Sequence, residues 1–143
     1  MPVRKEKQHE NAVRYYTRSG NTRKLAEAVA AAVGVEALSV SEPLTEPVDI
    51  LFLGCSYYAF DADESVKSFI TANAPRIGRV VCIGTSAMMR SMKKPIRRVA
   101  DGVGVTVAEE EFHCRGEFGK FHRGRPNGED LQRAAEFAKE LVG

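Results

Sequence analysis

The chain has 143 residues, 43% hydrophobic and 28% charged, with 21 Lys+Arg against 19 Asp+Glu for a net charge of +2. That length suits one domain with a real core, and the balance excludes collagen-like, disordered and fibrous classes. Three cysteines, with no CxxC pair, supply neither a disulfide framework nor zinc spacing. No apolar run approaches the roughly 20 residues of a membrane span. Met1–Glu10 lacks the apolar run of a signal peptide, so a cytoplasmic location is expected.

Residues 1–11 are polar, without period, and read as a loose tail; residues 12–143 read as the folded domain. Ala12–Tyr16 reads as a short strand, with Arg14 where a central strand wants an apolar residue; a strand end reaching solvent is the expectation there. A helix follows over Arg23–Val33, with Leu25, Val29 and Val33 on one face and Gly34 as its stop. Val35–Val40 is a second strand. In the third, Val48–Leu53, the run Ile50-Leu-Phe-Leu53 is continuously apolar, as in a strand covered on both faces. Glu64–Ala72 is a helix burying Val66, Phe69 and Ile70. Arg79–Gly84 is another buried strand. Ser91 caps a helix through Val99. Val103–Phe112 is an edge strand, because Glu109, Glu110 and Glu111 would be costly in a sheet centre. Residues 113–126 read as a long loop. Asn127 then caps the last helix, with Asp130 three residues on. Alternating strands and helices predict an α/β fold: a doubly wound, five-stranded parallel sheet with helices on both faces.

In such a sheet ligands bind beyond the carboxyl ends of the strands, where the strand order reverses. Thr17-Arg18-Ser19-Gly20-Asn21-Thr22 occupies that place between the first strand and its helix. It offers three hydroxyls, an amide and a glycine that lets the backbone curl, at the positive end of a helix dipole. The same residue types would also serve as an ordinary helix cap. Their density at a βα turn favours a phosphate. Neither GxxxxGK[ST] nor GxGxxG occurs, which excludes a P-loop and the dinucleotide fingerprint. Cys114 is followed by Lys120, and Cys55 by Asp61, where a cysteine phosphatase would place arginine. Thr17 and Gly54-Cys55 stand where a receiver domain needs acids. No metal-ligand spacing occurs.

Thr17-x-Ser19-Gly20-Asn21-Thr22 resembles the phosphate loop of the flavodoxin family, [ST]-x-[ST]-G-x-T after the first strand. The order of strands and helices agrees over residues 12–143. The resemblance implies strand order 2-1-3-4-5, of which flavodoxin is the standard example, with the ligand at the switch point. It also implies FMN as a non-covalent cofactor, with Thr17, Arg18, Ser19, Gly20, Asn21 and Thr22 at its phosphate. It places Ser56, Tyr57 and Tyr58 on one side of the isoalloxazine, and Thr85, Ser86, Ala87 and Met88 on the other. Cys114, Arg115 and Gly116 would then lie near its pyrimidine end. Many flavodoxins close the second ring face with an aromatic after strand four; here Met88 and Met89 stand there. One ring face is therefore expected to be open, which suits a small substrate or the approach of a second subunit in a homodimer.

Charge is unevenly placed. Residues 90–98 carry +5, residues 113–125 carry +3 and the remainder −6. Carrier flavodoxins are usually acidic. This chain instead suggests an oxidoreductase passing electrons from NAD(P)H or a reductase to a small acceptor such as a quinone, with a non-enzymatic electron carrier as the alternative. The basic runs read either as solvated faces or as a surface for an anionic redox partner such as NADPH, a quinone or an acidic ferredoxin. His113 and His122 are candidate proton donors. Phe112, Phe118 and Phe121 interleave with the basic residues, but no nucleic-acid motif accompanies them, and nucleic acid is not an expected partner.

Overall fold

Ile50, Leu51, Phe52 and Leu53 are all apolar because the strand that carries them is covered on both sides. Successive side chains of a strand point to opposite faces. Ile50 and Phe52 pack with Leu25, Val29, Ala134 and Ala138 on one face of the sheet. Leu51, Leu53 and Cys55 pack with Val66, Ile70, Met92 and Ile96 on the other.

The computed structural model describes residues 10–17, 20–56, 63–86, 91–117 and 122–143. In chain order they form β1 (Asn11–Tyr16), α1 (Asn21–Val33), β2 (Ala37–Ser39), β3 (Val48–Ser56), α2 (Glu64–Asn73), a short 3-10 turn (Ala74–Arg76), β4 (Ile77–Ser86), α3 (Lys93–Gly102), β5 (Thr106–Arg115) and α4 (Gly128–Val142). The five strands pair in the order β2-β1-β3-β4-β5, all parallel. Helices α1 and α4 cover one face, and α2 and α3 the other. This is the doubly wound α/β sheet expected from the alternation, with its order reversing between β1 and β3.

Three local features differ from the sequence reading. Strand β2 is only three residues long, because the Val35 N–H turns back to Ala30 O at 3.0 Å to close α1. Strand β5 runs on to Arg115, so His113, Cys114 and Arg115 lie in the sheet rather than in a loop. Parallel pairing continues through Thr85 with Cys114 and Ser86 with Arg115. Near its start β5 bulges: Val80 pairs with Val107, but Cys82 pairs with Glu111.

The third is Arg14. It does not reach solvent but is buried at 7% exposure. Its guanidinium donates to Glu42 O at 2.8 Å, to Pro43 O at 3.1 Å and to Val13 O at 3.1 Å. Three carbonyls thus replace the water that a buried guanidinium loses, and the β2–β3 connection is tied down in exchange. Burial still lowers the pKa of the group from its usual value, against the pull of Glu42 and Glu36.

Candidate functional site

All five strands are parallel, so the chain leaves β1, β3, β4 and β5 at the same edge of the sheet. There Thr17 Oγ1 accepts a hydrogen bond from the Gly20 N–H at 3.0 Å, tying the end of β1 to the start of α1. Gly20 has φ +91°, a left-handed conformation that favours glycine, and is the N-cap of α1. Having no side chain, it cannot cap the helix itself. The first turn of α1 also carries no acid. Helix α2, by contrast, is capped by Asp63, and α4 by the Asn127–Asp130 capping box. The start of α1 therefore keeps its positive end free of in-chain carboxylates in its own first turn.

Thr22 is fully buried, and its Oγ1 lies 2.9 Å from Thr85 Oγ1 at the end of β4. Its methyl group packs so close to β3 that a Cβ at Gly54 would stand 3.0 Å from Thr22 Cγ2. Asn21 Nδ2 donates to Glu117 O at 3.0 Å, joining the start of α1 to the chain leaving β5. A Cβ at Gly116 would stand 3.0 Å from that Nδ2 and 3.1 Å from Thr85 Cβ. Thr17, Gly20, Asn21, Thr22, Thr85 and Gly116 are thus brought into one cluster, and Gly54 and Gly116 leave the room that the side chains need.

Several expected site residues lie elsewhere or outside the description. Arg18, Ser19, Tyr57, Tyr58, Ala87 and Met88 are outside the described residues, as are the side chains of Ser56 and Ser86. The backbones of Ser56 and Ser86 end β3 and β4 at the site edge. Cys114 is buried on the α1/α4 face, and burial pushes its thiol up to about 12. Cys82 is likewise pushed up to about 12, and Cys55 well above its usual value, both mainly by burial. All three thiols are free and buried. Cys55 packs against Met92, with Sγ and Sδ 3.8 Å apart. Arg115 ends β5, half-buried, at the same edge.

His113 lies opposite Gly84 in the sheet. Burial, and then the nearby Arg115, push its pKa down to about 4. Both influences disfavour the charged, proton-giving form of the ring.

Lys93, Arg97 and Arg125 of the basic runs pair with acids of the chain. Lys93 Nζ and Arg97 Nη2 both reach Glu109, at 3.6 and 3.2 Å. The bulge in β5 delivers that glutamate to α3. Arg125 grips buried Asp130 with two nitrogens, Nη2 to Oδ1 at 2.9 Å. This pairing holds the Asp130 carboxyl below the usual carboxylate range. The sequence reading missed these pairings and the Thr22–Thr85 contact. The only signal for the latter was a hydroxyl directly after an apolar strand. Among the described residues, no three His, Cys, Asp or Glu stand together as a metal site, and no helix is long and apolar enough to cross a membrane.

Comparison with known proteins bears on the fold. An archaeal flavodoxin superposes with a TM-score of 0.71 at 18% identity, over 92% of this chain and 95% of that one. A flavoprotein from Lactobacillus acidophilus NCFM, solved in complex with FMN, gives 0.61 at 15% identity over 75% and 93%. Rubredoxin oxygen:oxidoreductase from Desulfovibrio gigas gives 0.68 at 12% identity over 94% of this chain but 36% of that protein. No family model matches the chain, and no curated protein matches it in sequence. The fold is flavodoxin-like.

Proposed function

We propose that the chain binds FMN non-covalently and works as a redox protein, passing electrons from NAD(P)H or a reductase to a small acceptor such as a quinone. The observation that carries this is the cluster of Thr17, Gly20, Asn21 and Thr22 at an α1 start whose first turn holds no acid. Backbone N–H groups and hydroxyls gathered at the positive end of a helix suit a phosphate. Gly54 and Gly116 leave the room in which the Thr22, Asn21 and Thr85 side chains pack.

FMN, when bound, supplies one- and two-electron chemistry. The residues of this chain position it. Thr17, Arg18, Ser19, Gly20, Asn21 and Thr22 would hold its phosphate. Ser56, Tyr57 and Tyr58 on one side, and Thr85, Ser86, Ala87 and Met88 on the other, would flank its ring. Cys114, Arg115 and Gly116 would lie beside its edge. The Arg115 cation there favours the negative charge gained on reduction. Three free, buried cysteines suit a reducing compartment, and we place the protein in the cytoplasm.

One observation favours the second reading, an electron carrier acting between proteins. The chain superposes on an archaeal flavodoxin over 95% of that protein, and on rubredoxin oxygen:oxidoreductase over 36% of that one. Pairing of Lys93, Arg97 and Arg125 with in-chain acids also shrinks the basic surface on which the NADPH argument rests. Stopped-flow mixing of the FMN-loaded protein with NADPH and NADH separates the two. Bleaching of the visible absorbance of the oxidised flavin is expected for the oxidoreductase. Flavin that stays oxidised with both nucleotides, yet accepts electrons from a reductase, makes the protein a carrier.

A further inference from the structure

Cys114, Arg115 and Gly116 are the residues expected beside the edge of the flavin ring, and the structure shows what holds the far end of that segment. Parallel pairing with β4 reaches Arg115, opposite Ser86, and ends there. Gly116 is buried against the start of α1: a Cβ there would stand 3.0 Å from Asn21 Nδ2 and 3.1 Å from Thr85 Cβ. Exposed Glu117 comes next. Its carbonyl accepts from Asn21 Nδ2 at 3.0 Å. Its N–H donates to Arg125 O at 2.7 Å. Its carboxylate accepts from the Gly124 N–H at 2.8 Å. Arg125 is itself held by buried Asp130, Nη2 to Oδ1 2.9 Å, and Asp130 belongs to the capping box of α4. Glu117 thus ties the end of β5 to the starts of two helices, α1 and α4.

Two of these bonds use the backbone of residue 117 and would be open to any residue with an N–H. The third needs an acceptor on the side chain. We infer that Glu117 is a positioning residue for the flavin ring: its carboxylate, bonded to the Gly124 N–H, keeps its carbonyl on the Asn21 amide and so fixes the course of Gly116 beside the ring edge. The inference rests on the FMN reading above and adds to it a residue that stands outside the proposed cofactor contacts. Asn21 gains a second part besides its place in the phosphate loop, because its side chain anchors the ring-edge segment. A segment fixed before the ligand arrives loses less freedom on binding. The gain belongs to the ring, so it is shared by ligands with and without a phosphate.

The test compares FMN with riboflavin, which has the same ring and no phosphate. Dissociation constants for both are measured by quenching of flavin fluorescence on the wild-type chain, Glu117→Ala, Glu117→Gln, Asn21→Ala and the double variant of Asn21→Ala with Glu117→Ala. Alanine and glutamine remove the same charge, and only glutamine keeps an acceptor for the Gly124 N–H. Glu117→Ala should bind both flavins about fivefold more weakly than Glu117→Gln, as for one lost hydrogen bond. Asn21→Ala should weaken riboflavin by a similar factor, and the double variant little further, since both substitutions open one joint. The Glu117 pair, at an exposed position, decides alone if Asn21→Ala does not fold. Equal affinities in Glu117→Ala and Glu117→Gln, or a difference confined to FMN, overturns the inference while leaving the FMN reading intact. A wild-type chain that binds neither flavin overturns the FMN reading and the inference with it.

Discussion

His113 shows how far a residue's place in the sheet can change its chemistry. On the sequence it is one of two histidines in a basic segment; in the structure it is a strand residue whose Nε2 is buried and has no hydrogen-bond partner among the described residues. Its folded pKa of about 4 lies below the ordinary value of 6.5. Between those values the unfolded chain takes up a proton that the folded chain refuses, so the His113 contribution to stability is complete above pH 6.5 and is lost as pH falls toward 4. Arg115 disfavours the charged ring as well, whereas Glu111, two residues back on the same strand face, is engaged with the start of α3. Urea unfolding at about pH 7 and about pH 4.5 should show a smaller loss of stability for His113→Gln than for wild type. Equal losses in the two proteins would show that His113 does not titrate as described. Arg14 carries the same lesson in reverse. Hydropathy sends an arginine to solvent, and the carbonyls of Val13, Glu42 and Pro43, two of them brought up by the loop after β2, make its burial tolerable.

At the scale of elements, the alternation of strands and helices was readable because each obeys a local period: two for β3, whose successive residues feed opposite cores, and near four for α1. The helix starts at Asp63 and Asn127 rest on short-range caps, and the one at Asn127 was visible as a three-residue pattern. What failed was non-local. The end of β5 is set by pairing with β4, and β2 is shortened by the way α1 closes. The start of α3 is another such case. Ser91 was expected to cap it, and its Oγ does accept from the Lys93 N–H at 3.2 Å. The larger part comes from across the fold: the Glu111 carboxylate accepts from the Met92 N–H and from Ser91 Oγ, each at 2.8 Å. A glutamate that marked β5 as an edge strand in the sequence is therefore also a helix cap. Glu111→Ala should cost about 1–2 kcal/mol in urea unfolding, in the range of a lost cap, and Glu111→Gln clearly less, since its carbonyl still accepts. Stability unchanged in Glu111→Ala would remove Glu111 from that role.

For the whole molecule, the net charge of +2 conceals two basic runs, read from the sequence either as solvated faces or as a surface for an anionic partner. Part of that charge is paired within the chain: exposed Glu109 meets Lys93 and Arg97, and buried Asp130 meets Arg125. At the carboxyl edge of the sheet stands a hydroxyl-bearing cluster at the start of α1. Its loop was legible in the sequence as a run of capping residues at a βα turn. Its floor, made by Gly54, Thr85 and Gly116, was not, because those residues lie on or beyond other strands and meet Asn21 and Thr22 only in the folded chain. Titration of the purified protein with FMN, followed by flavin fluorescence and by the melting temperature, tests the central claim most directly. The account predicts saturable binding near one FMN per chain at roughly micromolar concentration or below, and a melting temperature that rises with FMN, equivalent to about 2.7 kcal/mol at a hundredfold excess over the dissociation constant. No quenching and no thermal shift at micromolar FMN would contradict it.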